Sequence, residues 1–305
     1  TSWTSGKGER PNQFYMQKSK ILKTLVWGDS VSLAVLDTTE FVNEAISRHK
    51  FTPVAAAAFG RTATAAAYLC SWLKGDSALS VTVNGGGKGG KICISGDGEL
   101  NLRGFAEHPQ TALPPRKDGK LDVGAYVGKS GTLTVVRDDK NGLPFTGTCP
   151  LVTGEIAEDF SAYFLISEQR PTAVALGVKI GTDGTCVGAG GVFLQPLPGA
   201  DEEILARCER EIAKFSSVSS LIQTQGAEGI VALVENRPFH TKQIRYRCFC
   251  SREKTQNLIL ALGESDAKAL LKEKGHISIH CHYCNTDYDF DGRAVSALFS
   301  EKEGK

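Results

Sequence analysis

The sequence predicts an α+β fold: an antiparallel-rich N-terminal domain with helices, a helical linker, and a small cysteine-bearing C-terminal domain. Three observations carry this expectation. Apolar residues alternate with polar ones in many short runs, which follow one another through Gly-, Asp- and Asn-rich turns rather than alternating with helices as in βαβ units. A break at Gln195-Pro-Leu-Pro-Gly199 ends that pattern, and an amphipathic stretch follows it. Four cysteines in two close pairs lie beyond, near the end of the chain. The expected divisions are 13–196, 197–242 and 243–305.

The text ILKTLVWGDSVSLAVL from Ile21 to Leu36 predicts two strands about Gly28. Thr38-Thr39 ahead of Glu40–His49 suggests a capped helix. A second, Ala-rich helix is expected from Pro53 to Leu73, with proline in its first turn and Lys74-Gly75 after its end. Leu79–Val83, Lys91–Ser95, Leu100–Phe105, Gly131–Arg137 and Pro144–Cys149 suggest successive strands, punctuated at Asp97-Gly98 and Asn141-Gly142. Ile156–Leu165 suggests a short helix, and Thr172–Ile180 with Cys186–Leu194 a hairpin about Asp183-Gly184. Asp201–Phe215 suggests an amphipathic helix whose face carries Ile204, Leu205, Cys208, Ile212 and Phe215. From Ser216 to Thr241 the signals weaken to helical pieces.

Composition is that of an ordinary globular protein, 41% hydrophobic and 23% charged over 305 residues. A formal net charge of +1 offers no electrostatic reason for a nucleic-acid or membrane partner. No apolar run approaches the roughly 18 residues that span a bilayer. Nine cysteines, an odd number in a long chain, argue for a reducing compartment rather than a disulfide framework. Cys70, Cys93, Cys149, Cys186 and Cys208 are scattered singly, as ordinary core or surface thiols are.

The other four form C-x-C and C-x-x-C: Cys248 and Cys250, then Cys281 and Cys284 after thirty intervening residues. Two such pairs close a tetrahedron of soft thiolates, which suits Zn²⁺. That predicts a zinc-binding C-terminal domain in which the metal is either a static staple or a reactive centre. His276, His280 and His282 are alternative ligands. Cys281-His-Tyr-Cys284 alone would also suit a thiol–disulfide pair, although its βαβ context is missing. Two stretches approach nucleotide-binding loops. Gly85–Gly90-Lys91 has Ile92 where a Mg²⁺-binding hydroxyl should stand. Gly124–Gly128-Lys129-Ser130 is one residue short. Both precede expected strands rather than helices. No nucleophile–base arrangement is evident, so no enzymatic activity is expected.

These residues resemble the family of redox-regulated heat-shock chaperones of about thirty-three kilodaltons. The C-terminal match is Cys248-x-Cys250-Ser-Arg-Glu with His280-Cys281-x-Tyr-Cys284. Upstream, Ser95-Gly-Asp-Gly98, Gly154–Phe160, Tyr163-Phe164, Ser167-Glu-Gln169, Pro171-Thr172, Ala189–Gln195 and Leu197–Ala200 also match, so that the similarity runs from about Ser19 to Phe299. The resemblance implies an ATP-independent holdase, idle while zinc sits on Cys248, Cys250, Cys281 and Cys284. Oxidation to the disulfides Cys248–Cys250 and Cys281–Cys284 would release zinc and unfold a metastable linker. Implied partners are unfolded or misfolded client proteins, with a homodimer as an option when oxidised. The implied compartment is the cytoplasm, a reducing organelle such as the mitochondrial matrix being the alternative. Other readings of the cysteine pairs are a zinc-ribbon nucleic-acid binder, marked by a steep salt dependence, and a thiol–disulfide oxidoreductase, marked by turnover of a model disulfide.

Overall fold

The computed structural model describes residues 18–75, 77–138 and 143–300. The expected Asn141-Gly142 turn and the outermost residues of the first and last expected domains, 13–17 and 301–305, lie outside that range.

Mixed helices and antiparallel-rich sheets make this an α+β protein. The first two-thirds run β1 (Lys20–Val26), β2 (Val31–Asp37), α1 (Thr39–His49), α2 (Pro53–Cys70), β3 (Ala78–Asn84), β4 (Ile92–Asp97), β5 (Asn101–Ala106), α3 (Val123–Val127), β6 (Thr132–Asp138), β7 (Phe145–Pro150), α4 (Ala157–Ile166), β8 (Ala173–Ile180) and β9 (Cys186–Pro196). Then come α5 (Glu202–Ile212), a 3₁₀ turn (Ala213–Phe215), α6 (Val218–Val234), β10 (His240–Gln243) and β11 (Arg245–Tyr246). The last segment holds α7 (Arg252–Leu262), α8 (Glu264–Lys274), β12 (Ile277–Cys281), β13 (Thr286–Phe290) and α9 (Gly292–Ser300).

One sheet has the order β10-β1-β2-β9-β8 and a second the order β11-β5-β4-β3-β6-β7; β12 and β13 form a separate hairpin. The pairs are antiparallel except β11 with β5. Helix α2 is the wedge between the large sheets. Thr52 caps its start by accepting the Ala55 N–H, Pro53 stands at the first helical position, and nearly every later side chain is buried. Its small residues let β8 and α1 come close: a Cβ added at Gly60 would meet Val178 and Val42 side-chain atoms at 2.8 and 2.9 Å. Tyr68 on α2 stacks on Phe193 of β9, with ring centroids 4.0 Å apart.

The first sheet is covered on both faces. Residues of one parity, Ala34, Leu36, Leu176, Val178 and Phe193, join the core around α1 and α2. Those of the other parity, Leu33, Val35, Ala175, Val192 and Leu194, pack with Cys208, Phe215, Val218, Ile222, Ile230 and Val231 of the α5–α6 segment. Asp201 caps α5 through the Ile204 N–H at 2.9 Å. Helix α6 covers the stretch whose sequence signals are weak. Its two halves meet at Gly226, whose φ of +69° breaks the helical path.

After α6 the chain stitches the sheets together. β10 adds to the edge of the first at β1, and β11 to the edge of the second at β5.

Asp159 organises the turn ahead of α4. It is fully buried, and its carboxylate accepts the N–H groups of Val152, Thr153, Gly154 and Ile156 at 2.7–3.2 Å. Asp159→Ala leaves those donors without an acceptor, and we expect it to cost about 3 kcal/mol of stability, read as a lowered midpoint in urea unfolding.

Candidate metal centre

Three local devices bring the cysteine pairs together. The chain leaves β11 extended, so that Cys248 and Cys250 follow Tyr246 directly; Ser251 then caps α7 by accepting the Lys254 N–H at 3.2 Å. The other pair sits in the β12–β13 hairpin. Its turn is closed by the N–H groups of Cys284 and Asn285 donating to the Cys281 carbonyl at 3.3 and 2.8 Å. Asn285 has φ +55°, the left-handed region that asparagine tolerates. Phe249, between the first pair, lies against Arg103 and Arg247, 5.5 and 5.0 Å from its ring.

The four sulfurs lie within 4.8 Å of one another. Cys248 Sγ is 3.4 Å from Cys250 Sγ and 3.7 Å from Cys281 Sγ, and Cys250 Sγ is 3.2 Å from Cys284 Sγ. These are thiols, not disulfides. A tetrahedron with metal–sulfur bonds of about 2.3 Å has sulfur–sulfur edges of about 3.8 Å. The cluster is near that size and can hold one metal ion. None of His276, His280 and His282 joins the group; His280 Nδ1 instead pairs with Asp287 Oδ1 at 2.7 Å.

The electrostatics call for a cation. Burial disfavours charge on Cys250, but hydrogen bonds from Tyr288 and the neighbouring thiols outweigh it and bring that thiol down to about 7. Tyr288 donates to Cys250 Sγ at 3.2 Å. Burial and the charge that gathers at Cys250 push Cys284 up to about 12, and Cys281 is raised as well, burial first. Without a cation, one thiolate suppresses the ionisation of its neighbours; a divalent ion removes that conflict.

None of the other five cysteines is lowered as Cys250 is. Burial raises the thiols of Cys149, Cys186 and Cys208 to about 11, about 12 and about 11. It also raises Cys70 and Cys93. Such thiols stay protonated at neutral pH and react slowly with electrophiles.

The two glycine-rich loops bind each other. Gly87 and Gly89 donate to the carbonyls of Val127 and Tyr126 at 2.9 and 2.8 Å, and Ser130 donates to Gly85 at 3.0 Å. A Cβ at Gly85 would sit 2.2 Å from the Gly128 carbonyl oxygen. Those glycines serve close backbone packing, and these N–H groups are already taken.

Sequence reasoning missed Tyr288, Thr286 and Tyr246 around the cluster. Cys284 Sγ donates to Thr286 Oγ1 at 3.3 Å, and Tyr246 reaches the turn between Cys281 and Cys284 from outside. Their only signal was proximity to the cysteines along the chain.

A two-sheet α+β body joined to a four-cysteine domain is the architecture of a known class of chaperone. A family model described as Hsp33 protein matches residues 19–291. The 33 kDa chaperonin of Desulforamulus reducens is 41% identical over 88% of this chain and 92% of its own length. That of Staphylococcus carnosus is 38% identical over 94% and 99%. The crystal structure of the 33 kDa chaperonin (heat shock protein 33 homolog) of Thermotoga maritima superposes with a TM-score of 0.86 at 30% identity, covering 95% of this chain and all of that one. The chain belongs to the Hsp33 family, and its function is that of a chaperone. No helix among the described residues is long and apolar enough to cross a membrane.

Brief maleimide labelling of the native, metal-free protein near neutral pH should modify residues of the four-cysteine cluster and leave Cys70, Cys149 and Cys186 unmodified. Peptide mass mapping reads the pattern; rapid labelling of any of those three would contradict the assigned burial and thiol ordering.

Proposed function

We propose that the protein is an ATP-independent holdase kept idle by one Zn²⁺ on Cys248, Cys250, Cys281 and Cys284, and switched on when those thiolates are oxidised. The observation that carries the reading is the junction of two features. The first pair of the four-sulfur cluster, Cys248 and Cys250, directly follows the strands β10 and β11, and these continue from the α5–α6 segment that covers an apolar face of the first sheet.

Residues 13–196 are the client-holding body, 197–242 a metastable cover, and 243–305 the zinc-binding redox switch. Zinc supplies the charge that lets four thiolates coexist, and it supports a small domain whose buried apolar core, among the described residues, is Ile259, Ala267, Ile277, Phe290 and Val295. Structural zinc is worth about 10–16 kcal/mol in comparable peptides, so its loss unfolds such a domain. With a peroxide as oxidant, each cysteine pair gives up two electrons and forms one S–S bond, and one peroxide takes up two protons to leave as two waters. The two pairs consume two peroxides and set Zn²⁺ free.

The pairing Cys248–Cys250 and Cys281–Cys284 follows the family resemblance. The cover, tied to the switch domain through β10 and β11, then detaches and exposes the face around Leu33, Val35, Val192 and Leu194 to unfolded or misfolded clients, with homodimerisation available to the oxidised form. No chemical turnover, nucleotide, nucleic acid or membrane enters the cycle. The compartment is the cytoplasm or a reducing organelle.

Reduced protein should carry about one zinc per chain with sulfur-only coordination, measured by metal analysis and X-ray absorption. Cys281→Ser should lower zinc affinity by at least tenfold while the two large sheets keep their thermal transition. Zinc uptake by the reduced apoprotein should release protons, because thiols raised as Cys281 and Cys284 are must ionise to bind metal, and affinity should fall as pH drops, most steeply below about 7 where Cys250 protonates as well. Calorimetry in buffers of different ionisation enthalpy checks both.

Peroxide should turn on suppression of aggregation of a denatured model protein, alongside zinc release. ATP should change nothing, and a thiol reductant should reverse the effect. Equal suppression by reduced, zinc-loaded protein would reduce the zinc to a staple.

A further inference from the structure

The turn between Cys281 and Cys284 is docked on the first two-thirds of the chain, and Tyr246 is the centre of the contact. The Tyr246 hydroxyl reaches the Tyr283 carbonyl, inside the metal-binding turn, and the Gly104 carbonyl of β5 at 3.1 Å. Its oxygen lies 3.0 Å from His49 Nε2 at the end of α1. The Tyr246 ring lies 5.1 Å from that of Phe41, with the Arg48 guanidinium 5.2 Å from its centroid.

Further contacts surround it. Asn285 Nδ2 donates to the Arg48 carbonyl at 2.8 Å. Phe105 meets the Tyr283 ring edge-on at 5.4 Å, and Arg103 lies 4.7 Å over it. Tyr246 is also the last residue of β11. Arg245 and Arg247 donate to the Leu100 and Leu102 carbonyls at 2.9 and 2.8 Å. Only Ile244 separates β11 from β10, and its N–H donates to the Ser19 carbonyl at 2.8 Å.

We propose that Tyr246 is a positioning residue, a latch through which the state of the cysteine cluster is passed to the α5–α6 cover. The direction of the Tyr283 carbonyl is set by the turn whose two ends are metal ligands. While the turn keeps its metal-bound shape, Tyr246 is held between it and Gly104, β11 stays on β5, and β10 stays on β1. Closing an S–S bond of about 2.05 Å between Cys281 and Cys284 redraws that turn and withdraws the carbonyl. Strands β10 and β11, two short edge strands held mainly by backbone hydrogen bonds, then lose their anchor and free the end of α6. This inference rests on the redox-switch reading above and adds the route by which the switch acts.

The test uses the full-length reduced protein, with hydrogen exchange read in 240–247 and 218–234. Tyr246→Phe keeps the ring on Phe41 and removes the hydroxyl. It should keep about one zinc per chain and the wild-type thermal transition of the large sheets, while exchange in 240–247 rises roughly 3- to 10-fold, as loss of one hydrogen bond predicts. Removing zinc from wild type with a chelator should raise exchange in the same segment, and Tyr246→Phe should then add little. That non-additivity marks action through the turn, whereas a hydroxyl that merely braces β5 would add its effect in full.

Wild-type protection in zinc-loaded Tyr246→Phe, or additive effects, would overturn the latch. If Tyr246→Phe loses zinc or unfolds, Asn285→Gly, which keeps the left-handed turn and removes the Arg48 contact, decides by the same measurement. Oxidised wild type separates the two ideas. Unchanged exchange in 197–242 on oxidation defeats the redox-switch reading itself, whereas a rise there with wild-type protection in reduced Tyr246→Phe defeats only the latch.

Discussion

Repulsion among four sulfurs held within 4.8 Å of one another is the constraint on which the rest of the molecule turns. Thiolates at that spacing cannot all ionise without a cation. The opposing directions of Cys250, brought down to about 7, and Cys284, pushed up to about 12, express that conflict. The surrounding domain cannot absorb it by packing. Its apolar core comprises few buried side chains, among them Ile277 and Phe290 on the β12–β13 hairpin and Ile259 on α7. A domain so built has little stability of its own, because small cores seldom provide more than a few kcal/mol by themselves.

That dependence matters because of where the domain is attached. A separate zinc staple on a long tether could unfold without consequence. Here the first cysteine stands two residues beyond β11, and β10 and β11 complete the edges of both large sheets. The segment before them, α5 to α6, lies on an apolar sheet face rich in Val and Leu. Such a face is costly to expose to water, and it would associate with other exposed apolar chains if the cover left. Gly226 divides α6 into two shorter helical pieces, which limits the stability the cover has of its own. The body under it is different in kind: Tyr68, Phe193 and Phe164 interlock around α2, so the sheets have a core independent of the cover.

Much of this was legible in the sequence because it rests on periodicity. β1 to β9 show apolar runs between turn residues, and α2 announces itself by Thr52, Pro53 and a run of alanines. The cysteine spacing pointed to the cluster because C-x-C and C-x-x-C constrain geometry locally. Other features left no such trace. α6 buries apolar side chains while glycines and serines interrupt its stripe, so no helical period stands out. β10 is exposed along its length and pairs with β1 through its backbone, so its side chains carry no alternation. The matches Ser95–Gly98 and Gly154–Phe160 gave the family but not their physical roles, which are an Asp97 carboxylate accepting the Glu99 and Asn101 N–H groups and the Asp159 cap. Tyr246 was invisible for a related reason: its partners are a backbone carbonyl 37 residues away in sequence and another 142 away.

The position of Tyr246 also bears on how a small chemical change could be made large. A disulfide within Cys281–Cys284 alters a turn of four residues, and alone would not be felt across a sheet. Packed cores do not deform continuously, so a local change spreads only where an element has two arrangements of similar free energy. β10 and β11 are suited to be that element, being short, at sheet edges and held mainly by backbone hydrogen bonds, with one end tied to the turn and the other leading into α6. The body beneath them is too well packed to respond, and the cysteine domain too small to push. On the proposed reading, the sensitivity of the molecule would belong to this seam, which lies directly between the sulfurs and the cover.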